Sequence, residues 1–290
     1  MKHEIASLVR LAKTPLSALR RRNARPLLAA LLNHDSADVR RLGEALRDTL
    51  DGALAPQEES LLAAIERRRA ALLDSTGKIS VIDYGAGGPG SNRSREEMDQ
   101  GVPFTARIAD VATVSKPKFL ATLLFNLVRK VKPASCVELG SCVGISAAYQ
   151  ATALKLNGTG QLVTMEGSPE VAKLAQETFD TLQLGNVKEV CGPFHKTLDA
   201  VLAAARPIDY FFNDGHHDRD AVLRYFEQAM PYLASNAVVV FDDISWSPGM
   251  REAWRAIEDD QRVAATIDLG TMGIALMGKS ARKERHRIPL

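Results

Sequence analysis

The sequence predicts an α/β protein. Its core is a seven-stranded, mostly parallel sheet with helices on both faces and a C-terminal antiparallel hairpin, preceded by an N-terminal helical extension. Three observations carry this. From Ser135 onward, short β-type runs alternate with stretches of helical periodicity. The last two runs are separated only by Gly270-Thr271-Met272, which is too short for a crossover, so they must pair antiparallel. Residues 1–74 repeat leucine and alanine at three- and four-residue spacing, without a strand pattern.

In the extension, Leu27, Leu28, Leu31 and Leu32, and then Leu61, Leu62 and Ile65, mark apolar helix faces. The pattern breaks at residues 33–34, and Asp35 or Ser36 is placed to cap the next helix. Residues 78–84 read as a short strand. The run Gly85-Ala86-Gly87-Gly88-Pro89-Gly90 that follows reads either as a plain surface turn or as a loop at the mouth of a site. Residues 109–130 read as helix, with Leu120, Leu123, Leu124 and Leu127 on one face. Strands are expected at 135–139, 161–166, 187–191, 208–213, 237–242, 265–269 and 273–277. Helices are expected between most of them, at 145–156, 169–182, 194–204, 220–233 and 248–260. The expected units are a helical extension at 1–75, a loop or lid segment at 76–108, the main domain at 109–278 and a basic tail at 279–290.

Composition narrows the function classes. With 46% hydrophobic and 25% charged residues the chain is a folded globular protein. Apolar runs such as 237–241 are far too short to span a bilayer, so no membrane role is expected. Residues 1–22 lack the continuous apolar core of a secretory signal. Cys136, Cys142 and Cys191 are scattered without metal-type spacing, which suits a reducing, cytoplasmic setting. The two ends are basic: residues 1–34 hold seven Lys or Arg against one acid, and residues 279–290 hold five against one. Basic ends can bind nucleic acid or anionic membrane, but they also arise as solvated helix faces and frayed tails. No RNA-binding module or aromatic–basic interleaving accompanies them, so nucleic acid is disfavoured as a partner.

The chemistry concentrates at strand ends. The segment Cys136-Val137-Glu138-Leu139-Gly140-Ser141-Cys142-Val143-Gly144 runs from a buried strand through a glycine turn into a helix. The spacing is Glu-x-Gly-x-x-x-Gly. A dinucleotide fingerprint needs Gly-x-Gly-x-x-Gly, and Cys142 stands where its second glycine belongs. An acid at Glu138 would sit badly beside a pyrophosphate and suits a ligand with a positive amine, such as S-adenosylmethionine (SAM). Glu166, at the end of the next strand, is placed to accept hydrogen bonds from both ribose hydroxyls of an adenosine. Gly192-Pro193-Phe194 follows the third strand, where an adenine would lie. Asn213-Asp214-Gly215-His216-His217 follows the fourth. All four pieces sit at carboxyl ends of consecutive strands, where open α/β sheets bind ligands.

On these residues, 109–278 resemble the class I SAM-dependent methyltransferases, especially the branch with catechol, caffeoyl-CoA and bacterial sugar O-methyltransferases. Ser115-Lys116-Pro117-Lys118-Phe119-Leu120 resembles the branch's upstream helix. Asp214-Gly215-His216-His217 and Phe241-Asp242-Asp243-Ile244-Ser245-Trp246 resemble its later motifs. The resemblance implies a Rossmann-like sheet, SAM as cofactor, a small-molecule hydroxyl as acceptor, and compatibility with a homodimer. Ser141, Gly144 and Ser146 join Glu138, Gly140, Glu166, Gly192, Phe194 and Asp214 as expected cofactor contacts. Metal-dependent members imply Asp214, Asp242 and Asp243 as ligands of a divalent ion, for which hard oxygen donors suit Mg²⁺. Equally, Asp214 can contact cofactor or acceptor without a metal, and Asp242-Asp243 can simply end a strand.

Catechol-type enzymes carry a lysine base just after the strand-four acid, whereas this chain has His216 and His217 nearby. The Asp-Gly-x-His pattern points to His217 as general base beside Asp214, although both histidines can also serve local turn bonds. His195 is expected to be structural. Trp246, Met250 and Trp254 suit either an apolar acceptor pocket or one-sided helix packing. The competing readings are a metal-independent N-methyltransferase, a nucleic-acid methyltransferase, a nicotinamide oxidoreductase (against which the missing fingerprint glycine counts) and a SAM-binding protein without catalysis.

Overall fold

Strand β3 (Ser135–Leu139) lies inside the sheet and is buried along nearly its whole length, as its apolar sequence requires. The computed structural model describes residues 23–87, 93–279 and 283–290. The basic residues Lys2, Arg10, Lys13, Arg20, Arg21, Arg22 and Arg282, and the Gly88-Pro89-Gly90 run, lie outside the described residues.

The main sheet adds β4 (Gln161–Glu166), β5 (Val187–Cys191), β6 (Ile208–Asn213), β7 (Leu233–Phe241), β8 (Val263–Asp268), β9 (Gly273–Met277) and β10 (Glu284–Arg287). Their spatial order is β10-β8-β9-β7-β6-β3-β4-β5. Strands β5, β4, β3, β6 and β7 are parallel neighbours, while β9 runs antiparallel to both β7 and β8. The chain moves outward in one direction from β3 to β4 and in the other from β3 to β6. This makes the carboxyl end of β3 the topological switch point.

Beyond the seven expected strands, β10 adds an eighth at the edge, parallel to β8 from Glu284↔Ala265 to Arg287↔Asp268. The stretch expected as a basic tail therefore continues the sheet. Its Glu-Arg-His-Arg sequence has no apolar alternation to reveal a strand, and charged residues are what an edge strand tolerates. Ile288 is buried behind it, and its N–H donates to the Asp268 carbonyl at 2.8 Å.

Residues 76–108, expected as a loop or lid, contain a hairpin. Strand β1 (Lys78–Asp83) pairs antiparallel with β2 (Val102–Arg107), with the helix Arg95–Gln100 in the connection. The helix expected at 109–130 is two helices, Ile108–Ala112 and Lys118–Val131. Pro117, extended at ψ 145, separates them, and a proline forces the residue before it away from helical geometry.

The N-terminal helices Ala29–Leu32, Ala37–Asp51 and Pro56–Leu73 share one apolar core with the helices Lys118–Val131 and Ile145–Asn157. Ser36 flanks the Ala37–Asp51 helix without a capping hydrogen bond from its side chain. Polar bonds reinforce the seam: Asn126 donates to the Thr49 hydroxyl at 2.9 Å, and Lys130 pairs with Asp48 at 2.7 Å. His34 and Glu284 meet at 2.6 Å, which ties the extension to β10. Among the described residues, no helix is long and apolar enough to cross a membrane.

Candidate active site

At the carboxyl end of β3 the chain enters the helix Ile145–Asn157 through a tight turn. Gly140 there has φ 93, and a Cβ on it would sit 2.5 Å from the carbonyl oxygen of Asp214. Only glycine lets the β3 and β6 ends approach this closely. Asp214 N–H donates to the Leu139 carbonyl across the gap at 3.0 Å. Above this turn opens a cavity of about 680 Å³.

One end of the cavity is built on Glu166 at the end of β4. Its carboxylate accepts from the backbone N–H groups of Cys142 at 3.1 Å and Ser168 at 2.9 Å. Burial raises its pKa to about 7 against those hydrogen bonds. Phe194, at the start of the helix Phe194–Ala205, forms part of the wall.

The β1–β2 hairpin roofs this end. It is held by Ile82 N–H to the Ser168 hydroxyl at 3.1 Å and Ser80 N–H to the Glu170 carboxylate at 2.7 Å. The Tyr84 ring lies so close over Gly167 that a Cβ there would be 2.5 Å from it. Gly85, Ala86 and Gly87 border the cavity, and Ala86 N–H bonds the His216 carbonyl at 3.1 Å. Of the two readings of that glycine run, its first half is a loop at the mouth of the site.

The other end is charged. Asp214 follows β6, and Asp242 and Asp243 follow β7. The Lys116 ammonium lies between them, 3.1 Å from Asp214 and hydrogen-bonded to Asp242. Burial would lower the Lys116 pKa, but Asp214, Asp242 and Asp243 together outweigh it and hold the group above its ordinary value. His217 Nε2 is 3.6 Å from Asp214, and its Nδ1 is 3.3 Å from Asp243 without hydrogen-bond geometry. Burial lowers the His217 pKa, and the nearby carboxylates offset this only in part, so the ring favours its neutral form. His216 instead bonds the Tyr225 hydroxyl at 3.0 Å, and burial takes its pKa down to about 4.

Six non-glycine residues among those described have positive φ, and four of them border this cavity: Cys142, His216, His217 and Asp243. Such conformations cost on the order of 1–3 kcal/mol each and persist where surrounding structure fixes a site.

The expected site residues divide into two groups. Gly140, Glu166, Phe194, Asp214, His217 and Asp243 border the cavity. Glu138, Ser141, Gly144, Ser146, Gly192 and Asp242 are not among the residues that line it. Glu138 is fully buried and accepts from Gln150 at 3.0 Å and Thr164 at 2.7 Å. Ser146 supports the same carboxylate, whose pKa burial raises to about 7. Gly144 packs on Ala175 and Phe179 of the neighbouring helix, and Gly192 faces Thr197. Ser141 is buried.

For a metal, the donor atoms gathered within 4.8 Å of one another come from Asp214, His217 and Asp242, with Asp243 turned toward His217. These hard donors match a divalent ion in kind. A divalent ion does not fit them as they stand, because Lys116 already supplies their cation. Of the three apolar residues expected at an acceptor pocket or a packed helix face, only Trp246 borders the cavity; Met250 and Trp254 are core. His195 lies 3.8 Å from Asp99, away from the cavity lining. Sequence reasoning missed Lys116 and Tyr84; the Lys-Pro step opening the Lys118–Val131 helix was the available signal for Lys116.

Residues 137–244 match a family described as "Methyltransferase domain". The mouse catechol O-methyltransferase domain-containing protein 1 is 28% identical over 127 residues, which are 43% of this chain and 48% of that protein. The match thus spans about half the length of that relative. An O-methyltransferase from Bacillus cereus, solved in complex with SAH, superposes with a TM-score of 0.51 at 18% identity, covering 79% of this chain and 94% of that one. A SAH-bound methyltransferase from Podospora anserina gives a TM-score of 0.51 at 18% identity, covering 58% of this chain and 82% of that one. At these identities the structural likeness establishes the fold.

Proposed function

We propose that this chain, which carries a methyltransferase domain on a class I, Rossmann-like sheet, transfers a methyl group from SAM to a hydroxyl of a small-molecule acceptor. One observation carries the reading: a single cavity joins Glu166 at the end of β4 to His217 and Asp214 beyond β6. Glu166 is suited to the ribose hydroxyls, and Phe194 to the adenine. The sulfonium methyl would then point toward the charged end. The O-methyltransferase named among the structural neighbours, and the mouse relative's name, support an oxygen acceptor.

Methyl transfer is an in-line displacement at an already activated carbon, so the protein's work is alignment and removal of a proton. Neutral His217 takes the hydroxyl proton. The oxygen lone pair forms the new bond to the methyl carbon, the C–S bond breaks onto sulfur, and His217 later releases its proton to solvent. Trp246, half exposed at the cavity edge, offers an apolar face to the acceptor. The Mg²⁺ part of the reading would use Asp214, Asp242 and Asp243, or His217 in place of Asp243. It requires Lys116 to leave its carboxylates, so no step is routed through it. The three unpaired cysteines support a cytoplasmic setting.

Two measurements test the proposal. Calorimetry with SAM and SAH should show binding that Glu166→Ala removes. Methyl-labelled SAM, offered with panels of hydroxylated small molecules, amines and RNA, should label the hydroxyl compounds. Labelling confined to amines, or to RNA, would replace the acceptor assignment, and no binding of SAM would end the reading.

A further inference from the structure

We infer that the Lys116 ammonium is the resident cation of the acceptor end: it holds Asp214 and Asp242 in place of a divalent ion and contacts the acceptor oxygen as its proton leaves. This deepens the methyl-transfer reading and rests on it for the acceptor contact. The cation assignment stands on geometry alone.

Asp242 is 3% exposed, and the side chains of both Asp214 and Lys116 are 11% exposed. Buried carboxylates are tolerated only when paired and hydrogen-bonded. Lys116 pairs with both, from an element far away in sequence. Its backbone is set by Pro117, which caps the Lys118–Val131 helix and keeps the preceding residue extended. The lysine is therefore delivered from the short connection between the Ile108–Ala112 and Lys118–Val131 helices, next to the proline that starts the second. An ammonium has three N–H donors and no acceptor capacity. Asp214 and Asp242 take two, and Lys116 borders the cavity, where the third can meet a ligand oxygen.

A divalent ion on the same two carboxylates would stand against a buried ammonium at bonding distance. One of the two cations must go, and the lysine is covalently held. In the reaction the ammonium keeps its protons throughout. It steadies the negative charge that grows on the acceptor oxygen between proton loss to His217 and bond formation with the methyl carbon, as a fixed positive group in a water-poor site does.

Mn²⁺ titration followed by electron paramagnetic resonance tests the cation assignment without any turnover. The wild-type protein should leave the free-ion signal unchanged. Lys116→Met should then bind one Mn²⁺, and Asp242→Asn added to it should abolish that binding. Stoichiometric Mn²⁺ uptake by the wild type, lost in Asp242→Asn, would overturn the inference whatever the enzyme's activity. Should Lys116→Met not fold, Lys116→Arg, which keeps the charge, must stay silent toward Mn²⁺; uptake by it would count against the inference equally.

The acceptor contact is read separately. Lys116→Met should lower kcat by about 100-fold, the usual loss for one such donor, with SAM affinity within about twofold. A parallel fall in SAM affinity and melting temperature, with kcat kept in the folded fraction, would make Lys116 a structural pair only. Absence of methyl transfer by the wild type to any acceptor would defeat the functional reading while leaving the Mn²⁺ result to stand on its own.

Discussion

Gly140 and Asp214 touch backbone to backbone: the Asp214 carbonyl oxygen occupies the space where a side chain on Gly140 would begin, 2.5 Å from an ideal Cβ. The turn after β3, at the proposed cofactor end, and the end of β6, at the proposed acceptor end, are therefore one packed unit. Gly140→Ala should destabilise the protein by about 2 kcal/mol or more, from positive-φ strain plus the clash. Gly158 also has positive φ, at 73, but nothing lies within 4 Å of its Cβ position. Gly158→Ala should cost only about 1 kcal/mol. Urea unfolding of the two variants side by side checks the difference, and equal losses would mean the Asp214 contact is unimportant.

Glu166, proposed as the ribose contact, should make SAM affinity depend on pH. Its ligand-free pKa is about 7, and accepting two ribose hydroxyls requires the ionised form. Below pH 7 a proton must leave when SAM binds, so affinity should fall up to tenfold per pH unit. Calorimetry at pH 6 in buffers of different ionisation enthalpy should register close to one proton released. The same raised values at Glu166 and Glu138, both about 7 against an ordinary 4.5, also contribute to the stability profile, together with Glu189, which burial raises to about 9. Between these limits the folded protein keeps protons that the unfolded chain has shed. Ligand-free stability should therefore decline as pH climbs from about 4.5, less steeply below 6.5 where neutral His216 pulls the other way, and should keep falling towards 9, where Glu189 ionises. A melting temperature that rises over that interval would contradict the assignment.

Two tryptophans eight residues apart should behave as opposites. Trp254 is buried against Phe241 and over Gly273, whose Cβ position lies 2.5 Å from its ring. Trp254→Ala should cost about 3–5 kcal/mol of stability. Trp246 is 47% exposed beside the cavity. Trp246→Ala should leave stability within about 0.5 kcal/mol and instead raise the KM for the acceptor. Thermal unfolding and steady-state kinetics separate the two roles.

How much of this was legible in sequence depends on whether the partner was local. Strands β3 to β6 were readable to the residue, because each is a short β-type run bounded by turn residues, buried through β3 and β6 and only partly covered in β4 and edge strand β5. Glu166, Asp214 and His217 were findable since parallel topology puts strand ends together. Lys116 was visible as a residue but not as a site member: its bond to Asp242 spans 126 positions, and nothing in a local pattern encodes such a pairing. The roof was hidden for the same reason, since β1 and β2 are separated by a helix and their hairpin contacts the site only through tertiary packing. Glu138 reads in sequence as a ligand contact, a strand-end acid beside a glycine turn; its bonds from Gln150 and Thr164 inside the core come from tertiary packing that the local pattern does not carry.

Burial lowers the His217 pKa below the ordinary 6.5, with Asp243 and Asp242 pulling the other way and Lys116 adding to the depression. A general base works in its neutral form, so the acceptor-limited rate should rise with pH along a curve whose midpoint lies below 6.5 and be flat at neutrality. The rise belongs to kcat/KM for the acceptor at saturating SAM, which removes the separate Glu166 effect on cofactor binding. His217→Gln keeps the size and hydrogen-bonding capacity of the side chain but cannot take up a proton. It should lose that rise and about 100-fold or more in rate, while SAM affinity stays put because Glu166 lies at the other end of the cavity. His216→Gln serves as control. His216 is bonded to Tyr225 with a pKa of about 4, so its replacement should affect stability and leave the pH profile in place. If His217→Gln keeps the wild-type profile, the proton goes elsewhere, and the carboxylate of Asp243, 3.3 Å from the ring, becomes the group to replace next.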